Sequence, residues 1–349
     1  MENRYRLLGG PGSPYSLKMR AILRYRHIPH IWKVPHGYFI TGPELVATGK
    51  RMLPVLQYPD GSYWCDSTPL AFELEKRHPG RRSIVPDDPG LAFLAHLVED
   101  VADEFLVLAM FDYRWALERD QVFCSRRQIS GWLSPMAKAQ FDEVAETFRL
   151  RQSGMLQLAS TGAGNRALLQ SFYHRALAIL ERGLEHSLFL FGSRPSLAEF
   201  GWFGQLSQCA IDPTASEIMR NEAPRAFQWV QTLDDASGIE GEWAGWDRLE
   251  TVRELLQLAA TTYFPFMVAY AEAVAAGRTT VEVELEGHAW RGIVQPYKAK
   301  CLAWLRQALA EVSGPSSQPL ETLLRETGCW DFLQFPPGPR PAVEPMVPV

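Results

Sequence analysis

Residues 53–69 read Leu53-Pro54-Val55-Leu56-Gln57-Tyr58-Pro59-Asp60-Gly61-Ser62-Tyr63-Trp64-Cys65-Asp66-Ser67-Thr68-Pro69. Leu53 to Tyr58 and Ser62 to Cys65 are strand-like runs on either side of Pro59-Asp60-Gly61, and an Asp-Gly pair in that position supplies the tight turn of a β-hairpin. A helix is predicted from about Thr68 to Arg77, with Pro69 suited to its first turn. Upstream, Arg4 to Leu8 forms a short strand that stops at the turn cluster Gly9-Gly10-Pro11-Gly12. The helix after it opens with Ser13 as N-cap and Pro14 at the first helical position. It places Met19, Ile22 and Leu23 on one face and directs Lys18, Arg20, Arg24 and Arg26 towards solvent. Ile31 to Val34 is a further strand.

Downstream of the hairpin, the chain from Pro89 to about Ala236 reads as helices and connections. Within it, Phe189-Leu190-Phe191-Gly192-Ser193-Arg194-Pro195-Ser196-Leu197-Ala198-Glu199-Phe200 carries a capping box: Ser196 accepts from the amide of Glu199, and Glu199 returns the bond. From Trp246 a helix is expected to Ala276. Thr280 to Leu285 then alternates with period two, Glu286-Gly287 turns the chain, and a second strand runs through Val294, followed by a helix from Pro296 to Val312. An isolated hairpin is marginal in water, so Val281, Val283 and Leu285 need a surface to cover, on this subunit or on a partner. The Pro-rich end, 335–349, either lacks fixed structure or lies along the surface.

Composition excludes several function classes. The chain has 349 residues, 46% hydrophobic and 21% charged, with a formal net charge of -5, which leaves no basic excess for a phosphate backbone; nucleic acid is not an expected partner. A membrane is not expected either, because the most apolar stretch, Leu91 to Met110, is interrupted by His96, Glu99, Asp100, Asp103 and Glu104. With no apolar signal region at the N-terminus, a cytoplasmic location is expected. Cys65, Cys124, Cys209, Cys301 and Cys329 are scattered without C-x-x-C spacing and are expected to be free thiols. His27, His30 and His36 lie close together but lack cysteine or carboxylate partners at ligand spacing, so no metal is expected.

The order strand, helix, strand, hairpin, helix resembles a thioredoxin-like domain. Ser13-Pro14-Tyr15-Ser16 stands where such domains carry their thiol-activating motif, Leu53-Pro54-Val55 resembles their cis-proline strand entry, and Asp66-Ser67-Thr68 resembles an acidic-serine signature. Followed by the segment around Ser196 and Glu199, the combination resembles the cytosolic glutathione S-transferases over residues 5–233. The resemblance implies an α/β thioredoxin-like domain (1–80), an all-α domain (89–245), an extension of helices and a hairpin (246–334) and a tail (335–349). It also implies glutathione as co-substrate, a small hydrophobic electrophile and a homodimer.

On this resemblance the chemistry distributes as follows. The thiolate, not the thiol, is the nucleophile, so the protein must favour the anion by hydrogen bonding or positive potential. Ser13 can donate its hydroxyl to sulfur at a helix start, or simply cap the helix, or do both. Tyr15 and Ser16 are the other candidate donors. Relatives that run thiol–disulfide exchange carry cysteine at the position of Ser13, so disulfide reduction is not expected. The cysteinyl backbone of the tripeptide would pair with the N–H and C=O of Val55 if the Leu53-Pro54 bond is cis and exposes that edge. Asp66 would meet the γ-glutamyl amine and Ser67 its carboxylate, although both residues also suit a helix start. Lys50 or Arg51 would meet the glycyl carboxylate. Phe111, Tyr113 and Arg114 are candidates for the electrophile pocket, where an aromatic-rich stretch includes one cation. The competing readings are a non-catalytic binding or assembly module on the same fold, and glutathione-dependent ether cleavage, isomerisation or peroxide reduction.

Overall fold

A computed structural model describes residues 4–34, 43–49, 52–80, 82–132 and 135–337. The N-terminal unit contains β1 (Tyr5–Leu8), α1 (Pro14–Tyr25), β2 (His30–Lys33), α2 (Pro43–Ala47), β3 (Val55–Gln57), β4 (Tyr63–Cys65) and α3 (Ser67–Arg77). Its sheet has the order β2-β1-β3-β4, with β1 parallel to β2 and the other pairs antiparallel. The parallel pair needs a crossover, which α1 provides. This is the thioredoxin-like arrangement expected above, and the Asp60-Gly61 hairpin forms as read, with Gly61 at φ 92 and Asp60 accepting from the Ser62 amide at 2.9 Å.

Helices follow: α4 (Pro89–Val101), a five-residue π-helical segment (Ala102–Leu106), α5 (Val107–Ala116), α6 (Glu118–Ser130), α7 (Lys138–Gly154), α8 (Arg166–Gly183), α9 (Leu197–Cys209), α10 (Pro213–Glu222) and α11 (Pro224–Asp234). Every residue of α9 is buried, and its polar members Glu199, Gln205, Ser207 and Gln208 each make hydrogen bonds inside the protein. Its capping box forms, the Ser196 amide donating to Glu199 Oε2 at 2.8 Å. Two glycines let neighbouring backbones approach α9. A Cβ on Gly201 would lie 2.7 Å from Glu99 Cγ on α4, and one on Gly204 would lie 3.0 Å from the Pro14 carbonyl on α1.

The extension comprises α12 (Glu250–Thr261), α13 (Tyr263–Ala275), β5 (Thr280–Leu285), β6 (His288–Ile293), α14 (Pro296–Glu311) and α15 (Ser317–Glu326). The single helix expected to Ala276 is two helices. Pro265 lacks an N–H and its ring would strike the carbonyl of residue 261, so the chain breaks at Thr262 (φ -121, ψ -72). The hairpin finds its surface within the same chain. Val281, Leu285 and Trp290 are buried, and Trp290 stands edge-on to Phe266 at 5.3 Å beside Phe105 of the π-helical segment.

The sequence expectation for α1 fails at two of its four cations. Lys18 is fully buried and Arg26 nearly so, while Arg20 and Arg24 both reach Asp234 of α11. The face assigned to solvent is an interdomain face, because α9 packs along it.

The extension is therefore part of the core. Trp290→Ala is expected to cost about 3–5 kcal/mol, read as a lower urea midpoint in one cooperative transition. A separate early transition that leaves the rest of the unfolding curve unchanged would show the hairpin to be an independent appendage.

Candidate functional site

Two cavities meet at Tyr15, in the first turn of α1, and Leu53. The first, about 270 Å³, is walled by Leu53, Pro54, Asp66, Ser67 and Tyr15, and closed by Gln295, Tyr297 and Lys298 at the start of α14. The second, about 260 Å³, is walled by Ser13, Tyr15, Leu53, Phe111, Arg114, Trp115 and Trp132. Tyr15 and Leu53 belong to both, so the cavities share a wall. A larger hollow of about 430 Å³ lies between α3, α4 and α14, away from the Ser13 loop.

Ser13 is the N-cap of α1 (φ -100, ψ 118) and its Oγ accepts from the Ser16 amide at 3.3 Å, leaving the hydroxyl proton free of that bond. Tyr15 donates its hydroxyl to the Asp103 carbonyl at 2.9 Å, and burial with nearby Glu104 and Asp103 pushes its ionisation well up. Ser16 is buried, its Oγ has no hydrogen-bond partner among the described residues, and it lines neither cavity. Of the three hydroxyls, Ser13 and Tyr15 reach the cleft and Ser16 does not.

The Leu53-Pro54 peptide is cis. Val55 is not the free edge anticipated from sequence. It sits inside the sheet opposite Leu8 on one side and Cys65 on the other, fully buried, and the residues that line the cleft are Leu53 and Pro54. Asp66 and Ser67 do line it. Asp66 makes no capping bond to α3; its carboxylate instead accepts from the Tyr297 hydroxyl at 2.9 and 2.8 Å. Its backbone stands at φ 79, ψ 108, a conformation that side-chain-bearing residues seldom adopt and that persists where surrounding structure enforces it. Lys50 and Arg51 lie outside the described residues.

In the second cavity Phe111 and Arg114 line the wall, whereas Tyr113 is buried against Tyr173 with ring centroids 5.1 Å apart. Arg114 is not a loose cation awaiting a substrate. It pairs with Asp212 at 2.6 Å and donates to Gln208 at 2.7 Å and to the Gly12 carbonyl at 3.0 Å. Arg127 and Gln208 each donate to the Pro11 carbonyl at 3.2 Å. The loop carrying Ser13 is thus tied from α5, α6 and α9.

Sequence reasoning missed the charges beneath the first cavity. Lys18 Nζ bonds Glu99, Asp103 at 2.6 Å and Thr68 at 3.1 Å, all buried. Asp100 is bonded by the Tyr263 hydroxyl, and Glu104 pairs with Lys298 of α14 at 2.5 Å. Burial pushes the Asp103 carboxyl up to about 7 in spite of Lys18. Burial, with Glu104 and Glu99 nearby, also pushes Asp100 well up. The signal was present in the sequence as acids at 99, 100, 103 and 104, whose i, i+4 spacing puts them in two stacked pairs on a helix.

His96, Glu99 and Asp100 bring three donor atoms within 4.8 Å of one another, the one such convergence among the described residues. Lys18 already supplies positive charge at Glu99, and burial together with Lys18 lowers the His96 pKa to about 3, leaving the ring neutral. Of the histidines weighed from sequence, His27 contacts the Ser237 carbonyl, His30 the Ile28 carbonyl, and His36 lies outside the described residues. None of the five cysteines is joined in a disulfide among the described residues, and all but Cys65 are buried.

Residues 7–82 match the model of the glutathione S-transferase N-terminal domain and residues 166–232 that of the glutathione S-transferase C-terminal domain. The two matches, in this order and on the fold described, support a glutathione S-transferase superfamily member. Similar solved structures include the beta-etherase LigF from Sphingobium sp. strain SYK-6, 16% identical, covering 72% of this chain and 98% of that one with a TM-score of 0.47. They also include a GST-like protein from Pseudomonas syringae, 18% identical, covering 69% of each chain with a TM-score of 0.46. A third is a glutathione S-transferase from Methylobacterium radiotolerans in complex with glutathione sulfonate, 21% identical, covering 68% and 95% with a TM-score of 0.41. No curated protein matches the sequence.

Two measurements probe this geometry. Asp66→Gly and Asp66→Ala both delete the carboxylate, but only glycine accepts φ 79 freely, so the glycine variant should be the more stable by about 1 kcal/mol; equal stabilities would show that the backbone is unstrained. Asp103 ionises near pH 4 in an unfolded chain and about 7 in the folded one. Across that window the folded state holds a proton the unfolded state has released, so this carboxyl lowers stability as pH rises from about 4 to about 7 and adds no further change above. The urea stability of the native protein minus that of Asp103→Asn should decline over that window, and a difference flat in pH would contradict the assignment.

Proposed function

We propose that the protein binds glutathione and uses its thiolate to attack a small hydrophobic electrophile. The observation that carries the reading is the shared wall. A tripeptide with its γ-glutamyl end at Asp66 and Ser67 and its backbone along Leu53-Pro54 would bring its sulfur to Ser13, facing the apolar cavity of Phe111, Trp115 and Trp132. The Ser13 hydroxyl, which accepts from a backbone amide, keeps its proton to donate to sulfur, and the start of α1 adds positive potential at the same point. Donation to the charged form favours it and lowers the thiol pKa. The thiol proton leaves to solvent, sulfur forms a bond to the electrophilic carbon, and the electron pair displaced goes to the leaving group or into a conjugated acceptor.

Arg114, Arg127 and Gln208 act as positioning residues, since they hold the carbonyls just before Ser13 and touch no reacting atom. The proposal includes the homodimer, to be read by analytical ultracentrifugation.

Titration of bound glutathione by thiolate absorbance tests the reading. The native protein should lower the thiol pKa, and Ser13→Ala should raise it back by roughly one to two units, a loss of about 1.5–3 kcal/mol for a hydrogen bond to a charged group. Binding without any lowering of the thiol pKa would make the protein a glutathione-binding platform rather than a transferase.

A further inference from the structure

Asp66 is a partly buried carboxylate with no cation paired to it among the described residues. Its two oxygens share one donor, the Tyr297 hydroxyl, at 2.9 and 2.8 Å. A hydroxyl that bisects a carboxylate uses one lone pair on each oxygen, and an ionised carboxylate offers about four such sites. The remaining ones are available to a ligand in the cavity of about 270 Å³ that both residues line. Burial pushes the Asp66 carboxyl up, and the Tyr297 bond opposes that shift, as do the more distant Lys300 and Lys18 against Asp103. The bond therefore helps keep the group anionic as well as aimed.

Tyr297 is held rigidly enough to aim it. It lies in the first turn of α14, after Pro296 and two positions beyond Gln295, whose Nε2 donates to the Leu158 carbonyl at 3.1 Å. Directly after it, Lys298 is buried and bonds the Glu104 carboxylate at 2.5 Å and the Glu104 carbonyl at 2.8 Å. The hydroxyl is thus fixed between two anchors to the helical domain, and the side chain it steadies is 231 positions away in the chain. The strained backbone at Asp66 fits the same picture, since φ 79 turns the carboxylate away from capping α3.

We infer that Tyr297 of the extension is a positioning residue for the Asp66 carboxylate, holding it to receive an α-ammonium group, so that the extension takes part in selecting thiol peptides with a free γ-glutamyl amine. This rests on the proposed glutathione site and adds to it a positioning residue from the extension. The phenol orients Asp66 while ammonium hydrogens take the carboxylate's remaining lone pairs, one on each oxygen. Selection against an analogue without the amine then follows, because that analogue leaves a partly buried carboxylate unpaired.

Isothermal titration calorimetry on the full chain tests this with two ligands, glutathione and its des-amino analogue, in which the γ-glutamyl amine is replaced by hydrogen. The native protein should prefer glutathione. Tyr297→Phe should weaken glutathione roughly tenfold while changing the analogue's affinity less than twofold, and Asp66→Asn should abolish the discrimination. Equal weakening of both ligands by Tyr297→Phe, no weakening, or tighter glutathione binding through release of Asp66 would each overturn the inference and leave the glutathione site standing. No uptake of glutathione by the native protein at millimolar concentration would overturn both. Urea unfolding of Tyr297→Phe, expected at the native midpoint, verifies that any loss is not a folding defect.

Discussion

The buried ammonium of Lys18 is the point on which the two domains and the extension depend. It sits on α1 and bonds Thr68 on α3, Glu99 on α4 and Asp103 on the π-helical segment, so one cation joins the thioredoxin-like unit to the first long helix of the helical domain. Taking such charges out of water costs several kcal/mol per ion, which excellent geometry can offset but an absent partner cannot. The arrangement therefore enforces one docking of α1 against α4, because any slippage strands buried charge. Four acids on this stretch, Glu99, Asp100, Asp103 and Glu104, face two ammonium groups, Lys18 and Lys298, and burial drives Asp100 and Asp103 towards the neutral form.

Close packing makes that docking possible. Gly201 and Gly204 lie one helical turn apart on α9 and remove the Cβ atoms that would otherwise strike Glu99 and the Pro14 carbonyl. With α1 seated in this way, its first turn and the loop before it come within reach of Arg114, Arg127 and Gln208. Ser13 is thereby carried on a rigid element supported from three helices, the condition a thiol-contacting hydroxyl requires. Lys298 repeats the device from the other side. Its ion pair with Glu104 seats α14 and delivers Tyr297 to Asp66. The extension thus closes the first cavity by the same kind of interaction that joins the two domains.

Much of the local structure was legible in the sequence. The Asp60-Gly61 turn, the Ser13-Pro14 helix start, the Ser196–Glu199 capping box and the hairpin about Glu286-Gly287 all formed as read. These signals act within a few residues, where turn conformation and unpaired helix amides decide the outcome. The readings that failed were of another kind. Lys18 and Arg26 belong to a helix whose periodicity gives their face but not what covers it. Val55 was placed at an edge, yet the register with both Leu8 and Cys65 puts it at the centre of the sheet. Tyr113 and Ser16 point into the core because of neighbours supplied by α8 and by the loop at Gly9.

By itself, then, the sequence determined the order of elements, because capping, turn chemistry and hydrophobic period are short-range properties of the chain, while its resemblance to the glutathione S-transferases supplied the two-domain class and the candidates Ser13, Leu53-Pro54 and Asp66-Ser67. Only the tertiary structure decided which of these share a cavity, that Arg114 holds a loop instead of awaiting a ligand, and that Tyr297 meets Asp66. Those facts depend on buried charge pairs formed between distant segments, and the free energy of a buried charge is set by what surrounds it in space and not by its neighbours in sequence.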